Sequence, residues 1–349
     1  MDFNFQREVD RSNMKKDLFS WPEQIATGWE QGRAAASKYH DAATPSHLIW
    51  AGMGGSAISG DFLNGLLADT APFPLTVHRG GPLPAWAGEG TAIVLASYSG
   101  NTAETLATAN EAIEKGCTIY ALTSGGKLAE MAGERGFETW TVHGGRMPRA
   151  ALGEAFGTAL GAFHEHGWIN IGSEVIDETI STLKLNGERL SADPSESGHP
   201  LHNLLTDVLD KHPMIYGSGA FVPVARRWAA QINENGKRAA QWGVMPEMNH
   251  NEVVPYVEGG EWGKWYSVMI LDDPEAPADV RKRIPITAEL AKKAGWSAHI
   301  VRPSAKSTLA RMLELTLLGD WLSYWLALAQ GIDPSPIPTI MELKARLED

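Results

Sequence analysis

Cysteine is nearly missing from this chain. A single one, Cys117, stands among 349 residues, so no internal disulfide can close and no thiolate cluster can hold a metal. A reducing compartment, the cytoplasm, fits that usage. Positive charge is also scarce: 30 lysines and arginines face 42 aspartates and glutamates, a formal net charge of −12. Nucleic acid or an anionic membrane would be repelled over most of such a surface, so neither is an expected partner. Long apolar runs are lacking too. The most apolar late segment, MLELTLLGDWLSYWLALAQ, is broken by Glu314 and Asp320 at helical spacing and predicts a buried amphipathic helix, not a membrane span. The opening MDFNFQREVDRSNMKK carries both signs of charge and no apolar core, unlike a secretory leader.

What is present is alternation. HLIWAG (47–52), PLTVH (74–78), AIVLAS (92–97), CTIYALT (117–123) and ETWTV (138–142) read as strands separated by helical stretches such as TAETLATANEAIEKG. A second series follows with MIYGSG (214–219), YSVMILDD (266–273) and SAHIVRP (297–303). This predicts an α/β fold of two domains, each a parallel sheet covered by helices on both faces. The length suits two domains of roughly 150 residues. The expected division is a helical extension over 1–45, a first sheet domain over 46–170, a helical bridge and linker over 171–205, a second sheet domain over 206–330 and a terminal segment over 331–349. The polar stretch NGERLSADPSESGHP (186–200) reads as the linker. LIWAGMGGSAISGDFL (48–63) and MIYGSGAFVPVARRWA (214–229) both set a glycine turn between strand and helix, which suggests an internal duplication.

ASYSGNTAETLA (96–107) crowds hydroxyls directly after an apolar strand. Asn101 with Glu104 three residues on resembles a capping box, which accounts for part of that polarity without a ligand. Ser97, Ser99 and Thr102 are left over. A phosphate accepts several hydrogen bonds at once, and a helix amino end offers both donors and a favourable dipole. AGMGGSAIS is a second such turn, where Gly54 and Gly55 admit close backbone approach and Ser56 adds a hydroxyl. Each turn alone is explained as well by packing as by a ligand. Two on adjacent parallel strands favour phosphate.

Taken together, GMGGSAISGD, SYSGNTAET, MPRAALG, INENGK, MNHNE and IPTIMELK resemble the bifunctional phosphoglucose/phosphomannose isomerases, built from two sugar-isomerase (SIS) domains. The resemblance runs from about residue 45 to the C-terminus. It implies interconversion of glucose 6-phosphate, with mannose 6-phosphate as a second aldose, and fructose 6-phosphate through an enediolate, without metal or cofactor. Glu234 in INENGK matches the family's base, which moves a proton between C2 and C1. His250 in MNHNE matches its ring-opening histidine, reaching the pocket from the other subunit of a homodimer. Arg149 in MPRAALG matches the arginine facing the developing enediolate. Lys344 in the terminal MELK matches a lysine aimed at the sugar oxygens, and Thr339 is a candidate for making room for rotation about C2–C3. That rotation lets one base serve both aldoses.

Alternatives remain at this stage. A non-catalytic SIS sensor needs the phosphate hydroxyls but neither Glu234 nor His250, and it often carries a DNA-binding module for which this acidic chain has no basic segment. An isomerase of aminosugars is a third reading. His164 and His166 in FHEHGW stand two apart on a predicted helix, a spacing unsuited to a shared zinc ion. The histidines of HPLHN fall in the expected linker, where solvent exposure is the simple account. The thirteen tryptophans lie within strands and helices and read as structural.

Overall fold

The computed structural model describes residues 3–39 and 43–348; residues 1, 2 and 40–42 of the expected N-terminal extension lie outside them. In chain order the elements are α1 (Met14–Phe19), α2 (Trp21–Ala36), β1 (His47–Ala51), α3 (Gly54–Leu67), β2 (Leu75–His78), β3 (Thr91–Ser97), α4 (Ala103–Glu114), β4 (Thr118–Thr123), α5 (Gly126–Arg135), β5 (Glu138–Thr141), α6 (Leu152–Glu165) and α7 (Ser173–Leu190). Then come α8 (His202–Asp210), β6 (His212–Gly217), α9 (Val222–Glu234), β7 (Gln241–Val244), α10 (Val254–Glu258), β8 (Tyr266–Leu271), α11 (Ala278–Lys293), β9 (Ser297–Val301), α12 (Thr308–Ala329) and α13 (Pro338–Glu348). They form two units, one of Ser20–Lys184 with Ala305–Ala310, the other of Met1–Phe19, Leu185–Ser304 and Arg311–Asp349.

In the first unit the sheet order is β2-β1-β3-β4-β5, all parallel. All seven residues of β3 are buried, as a strand covered on both faces requires. Ile49, Ala51, Ile93, Leu95, Ile119 and Ala121 pack with Ala109 and Ala112 of α4 and Leu128 and Ala132 of α5. The alternate side chains face the other way. α2, expected as part of an extension, packs on α6 in this unit; a Cβ on Gly28 would lie 2.3 Å from the Glu154 carbonyl oxygen, so the two helices meet backbone to backbone.

The second unit repeats the plan with order β7-β6-β8-β9, again parallel. The duplication is visible in the backbone itself. Met53 (φ −124°, ψ 152°) precedes Gly54 at φ +49°, and Ser218 (φ −127°, ψ 150°) precedes Gly219, also at φ +49°. That left-handed step strains any residue with a Cβ, which is why glycine holds it in both halves.

Three expectations change. QWGV, with no residue fully buried, is nonetheless strand β7 at the sheet edge. The first five residues of the expected linker are the last turn of α7, and the HPLHN histidines are half-buried: His202 Nδ1 lies 2.9 Å from the Pro194 carbonyl oxygen, and burial holds the His199 pKa below its usual value. α12 is buried on nearly every side rather than amphipathic. Its acids are satisfied internally: Glu314 accepts from the Ser304 amide and hydroxyl at 2.8 and 2.7 Å, and Asp320 takes both arms of Arg227 at 3.0 and 2.7 Å. Asp320→Ala would take both of those acceptors from a buried guanidinium. Such losses cost about 3–5 kcal/mol, so a marked fall in the urea midpoint is expected with little change in KM.

Candidate active site

The sheet order of the first unit reverses between β1 and β3, and α3 and α4 leave from their carboxyl ends. In open parallel sheets this is where ligands gather. Neither helix is capped by a side chain of its own, although Met53 and Thr102 occupy the capping positions. The expected capping box is therefore not made. Asn101 instead reaches across to the next helix, its Oδ1 accepting from the Lys127 amide at 3.2 Å, so α4 keeps its first amides turned to the crevice.

The hydroxyls converge on the same place. Ser97 Oγ and Thr102 Oγ1 are 2.9 Å apart, and Ser56 Oγ accepts from the Tyr98 amide at 3.1 Å, linking the two turns and leaving the Ser56 proton to donate. Ser99 is exposed and its hydroxyl accepts from the Asn101 amide at 3.3 Å. A Cβ on Gly55 would come within 3.1 Å of the Pro148 carbonyl and 3.2 Å of the Arg149 amide. The start of α3 therefore lies directly against the turn Pro148–Ala150 that carries Arg149. Arg149 is only 6 % exposed, which excludes a casual surface arginine.

The second unit has the same frame with different chemistry. β1 pairs Ala51 with Leu95, and β6 pairs Tyr216 with Ile270, so two residues further on Asp272 takes the place of Ser97. Asp272 is engaged by Arg302, and a carboxylate there repels phosphate. The hydroxyl-rich turn after β3 thus has no counterpart after β8.

Glu234 and His250 lie at opposite edges of the second sheet. α9 starts beyond the carboxyl end of β6 and runs back about 20 Å, so its last residue, Glu234, ends near the amino edge. Asn233 fixes this position, its Oδ1 accepting from the Ala240 amide at 2.9 Å just before β7. β7 then climbs to Val244 beside Gly217 at the carboxyl edge, and His250 follows in the turn Glu247–His250, its side chain exposed. The left-handed residue after α9 is Lys237 at φ +51°, and Gly236 lets the bend press against Leu326, where a Cβ would lie 2.5 Å from Cδ2. Asn235 Nδ2 donates to Ser323 Oγ at 3.0 Å. Lys237 Nζ donates to the carbonyls of Glu234 and, at 3.2 Å, of Pro334. The bend bearing Glu234 is thus tied to the segment leading into α13. On α13, Thr339 stands in the first turn and Lys344 in the middle rather than at the end, both exposed.

Comparison with known proteins decides the family. Residues 200–347 match the bacterial phospho-glucose isomerase C-terminal SIS domain. The bifunctional phosphoglucose/phosphomannose isomerase of Caldicellulosiruptor bescii is 35 % identical over 337 residues, 96 % of this chain and 99 % of that one. The chain belongs to the bifunctional phosphoglucose/phosphomannose isomerase family. The Aquifex aeolicus enzyme of the same name is 32 % identical over 302 residues, 86 % of this chain and 90 % of its own. In fold, the C-terminal domain of glucosamine-fructose-6-phosphate aminotransferase from Francisella tularensis is similar with a TM-score of 0.69 at 14 % identity, covering 93 % of this chain and 98 % of that one. The architecture is α/β of the SIS type, two parallel sheets flanked by helices.

For this phosphoglucose/phosphomannose isomerase family member, the structure adds residues that sequence reading passed over. Tyr98, the aromatic in SYSGNT, donates its hydroxyl to the His143 carbonyl at 2.9 Å and accepts from the Arg146 amide at 3.0 Å, tying the hydroxyl-rich turn to the loop that leads to Arg149. Glu154, 2 % exposed, holds that loop from below: its carboxylate accepts from the His143 amide at 2.7 Å and from Arg146 Nη1 at 3.0 Å. An aromatic amid small polar residues was the signal for Tyr98. His166 is a core residue, its Nε2 2.8 Å from Glu138 Oε1, which also accepts from Trp140 Nε1 at 2.6 Å. Among the described residues no group of three or more His, Cys, Asp or Glu side chains is gathered as a metal site, and no helix is long and apolar enough to cross a membrane.

Proposed function

We propose a division of labour in which the first unit's cradle holds the phosphate of a hexose 6-phosphate while Glu234, His250 and Arg149 carry out isomerisation. As a member of its family the chain is a phosphoglucose/phosphomannose isomerase, an enzyme that interconverts aldose and ketose hexose phosphates. Ser56, Ser97, Ser99 and Thr102, with the amides at Gly54 and Gly55 and at the start of α4, donate to the phosphate. His250 moves a proton between ring oxygen and anomeric hydroxyl, opening the sugar. Glu234 then takes the C2 proton and returns it at C1, and Arg149 opposes the negative charge that appears on the enediolate between these steps. Rotation about C2–C3 presents the other epimer to the same carboxylate, with Thr339 leaving room and Lys344 holding the sugar oxygens. We take 46–170 and 206–330 as the two SIS domains, with 1–45 and 171–205 as extension and bridge and 331–349 as a segment contributing to the site.

The observation that carries the dimer is the placement of Glu234 and His250 on opposite edges of one sheet, separated by at least the length of β7, roughly 13 Å. That separation favours a site that draws the two groups from different chains. A second copy can supply the missing histidine. Trp242 and Val244 on β7 and Val254 and Val257 on α10, which flank His250 in sequence, are exposed apolar side chains of the kind that contacts a partner. The scarcity of cysteine supports the cytoplasm.

The direct test supplies fructose 6-phosphate in the presence of a chelator. Both aldoses are expected; phosphate-ester binding without turnover would instead fit a sensor. Ser97→Ala is expected to act chiefly on KM, since one charge-assisted hydrogen bond is worth about 1.5–3 kcal/mol and serves substrate and transition state alike, a rise on the order of tenfold or more. Steady-state kinetics with fructose 6-phosphate measure it.

A further inference from the structure

We propose that Tyr216 and Glu252 form a buried anchor that positions His250 for ring opening, an inference that rests on the ring-opening role given to His250 above. Tyr216, next to last in β6, is 1 % exposed, and its hydroxyl donates to Glu252 Oε2 at 2.7 Å. Glu252 lies two residues beyond His250 and is otherwise on the surface. A surface carboxylate has no need of a partner from the sheet interior. Its effect here is to pull the backbone just after His250 onto the end of β6.

The path of the phenol is built into the neighbouring strand. A Cβ on Gly243 of β7 would lie 2.6 Å from Tyr216 Cε1, so the ring crosses β7 only because glycine is there. Burial, the adjacent Tyr256 and the Glu252 carboxylate hold the Tyr216 pKa far above its usual value, so the hydroxyl stays a donor. On the other side of His250, Met248 is fully buried in the core beneath α11, and Asn249 Nδ2 donates to Thr287 Oγ1 at 2.8 Å. His250 is therefore an exposed imidazole slung between two fixed points. A group that must meet a ring oxygen within hydrogen-bond reach gains from such support, because small misplacements cost rate without affecting binding.

The test separates positioning from folding by choice of substrate. Erythrose 4-phosphate cannot close a ring, because the oxygen that would do so is phosphorylated, so deuterium exchange at its C2 needs Glu234 but no ring opener. Tyr216→Phe and Glu252→Ala should lower kcat with glucose 6-phosphate on the order of tenfold at unchanged KM, and leave exchange with erythrose 4-phosphate at the wild-type rate. Glu252→Gln, which still accepts from the phenol, should recover most of the loss. Equal losses with both substrates would mean that the anchor serves the fold, and no loss with either would mean that it serves nothing; both overturn the proposal. His250→Ala distinguishes the premise: if it too leaves glucose 6-phosphate turnover intact, the ring-opening role fails, whereas a damaged His250→Ala beside an unimpaired Tyr216→Phe sinks the anchor alone.

Discussion

Glu234→Gln should lower kcat by about 10²–10⁴-fold, the range for loss of a general base, while the dissociation constant for fructose 6-phosphate stays within a few-fold of wild type. Glutamine keeps the size of the side chain and its hydrogen-bonding reach but cannot accept a carbon-bound proton. The bend itself is shaped by neighbouring groups: Asn233 binds Ala240, Asn235 binds Ser323, Gly236 packs on Leu326, and Lys237 donates to the Glu234 carbonyl. The variant should therefore fold and bind. Isothermal titration for binding and steady-state rates for turnover read the two quantities separately, and a parallel loss of both would show Glu234 to be structural.

Mixing two dead variants should restore activity. If each site takes Glu234 from one chain and His250 from another, Glu234→Gln and His250→Ala are separately inactive or nearly so, yet a mixed dimer holds one site with both groups intact and one with neither. Random exchange of subunits makes about half of the dimers mixed, so about a quarter of the wild-type rate should return. Unfolding and refolding the two variants together, with each refolded alone as control, gives the measurement. Recovery no better than the sum of the controls would place both residues within one chain, against the topology that sets them on opposite edges of the second sheet.

Much of the fold is legible in the residues because parallel strands covered on two faces must be continuous apolar runs: HLIWAG, AIVLAS and YSVMILDD each coincide with a strand to within two residues. β7 escaped because an edge strand with little buried surface has no such run. α12 was misread because the charges that mark a solvent face in sequence are here neutralised by groups far along the chain; Asp320 meets Arg227, 93 residues away. The same distance rule governs the site. Local motifs single out Ser97, Arg149 and His250, but the bonds around them, Tyr98 to the His143 carbonyl and Tyr216 to Glu252, join residues 45 and 36 apart and are visible only once the chain has folded. Asn101 shows the limit of local reasoning most clearly: its spacing to Glu104 suggests a cap for its own helix, and the fold spends it on the next one.

At the centre of the account is one carboxylate relaying a proton between C2 and C1 of an open-chain sugar, whichever aldose enters. Incubation of the protein in deuterium oxide with glucose 6-phosphate, and separately with mannose 6-phosphate, followed by NMR of the recovered sugars, examines that step directly. Deuterium at C2 of both aldoses, abolished by Glu234→Gln, is the predicted result. Interconversion without incorporation at C2 of either sugar, or incorporation that survives Glu234→Gln, would contradict it.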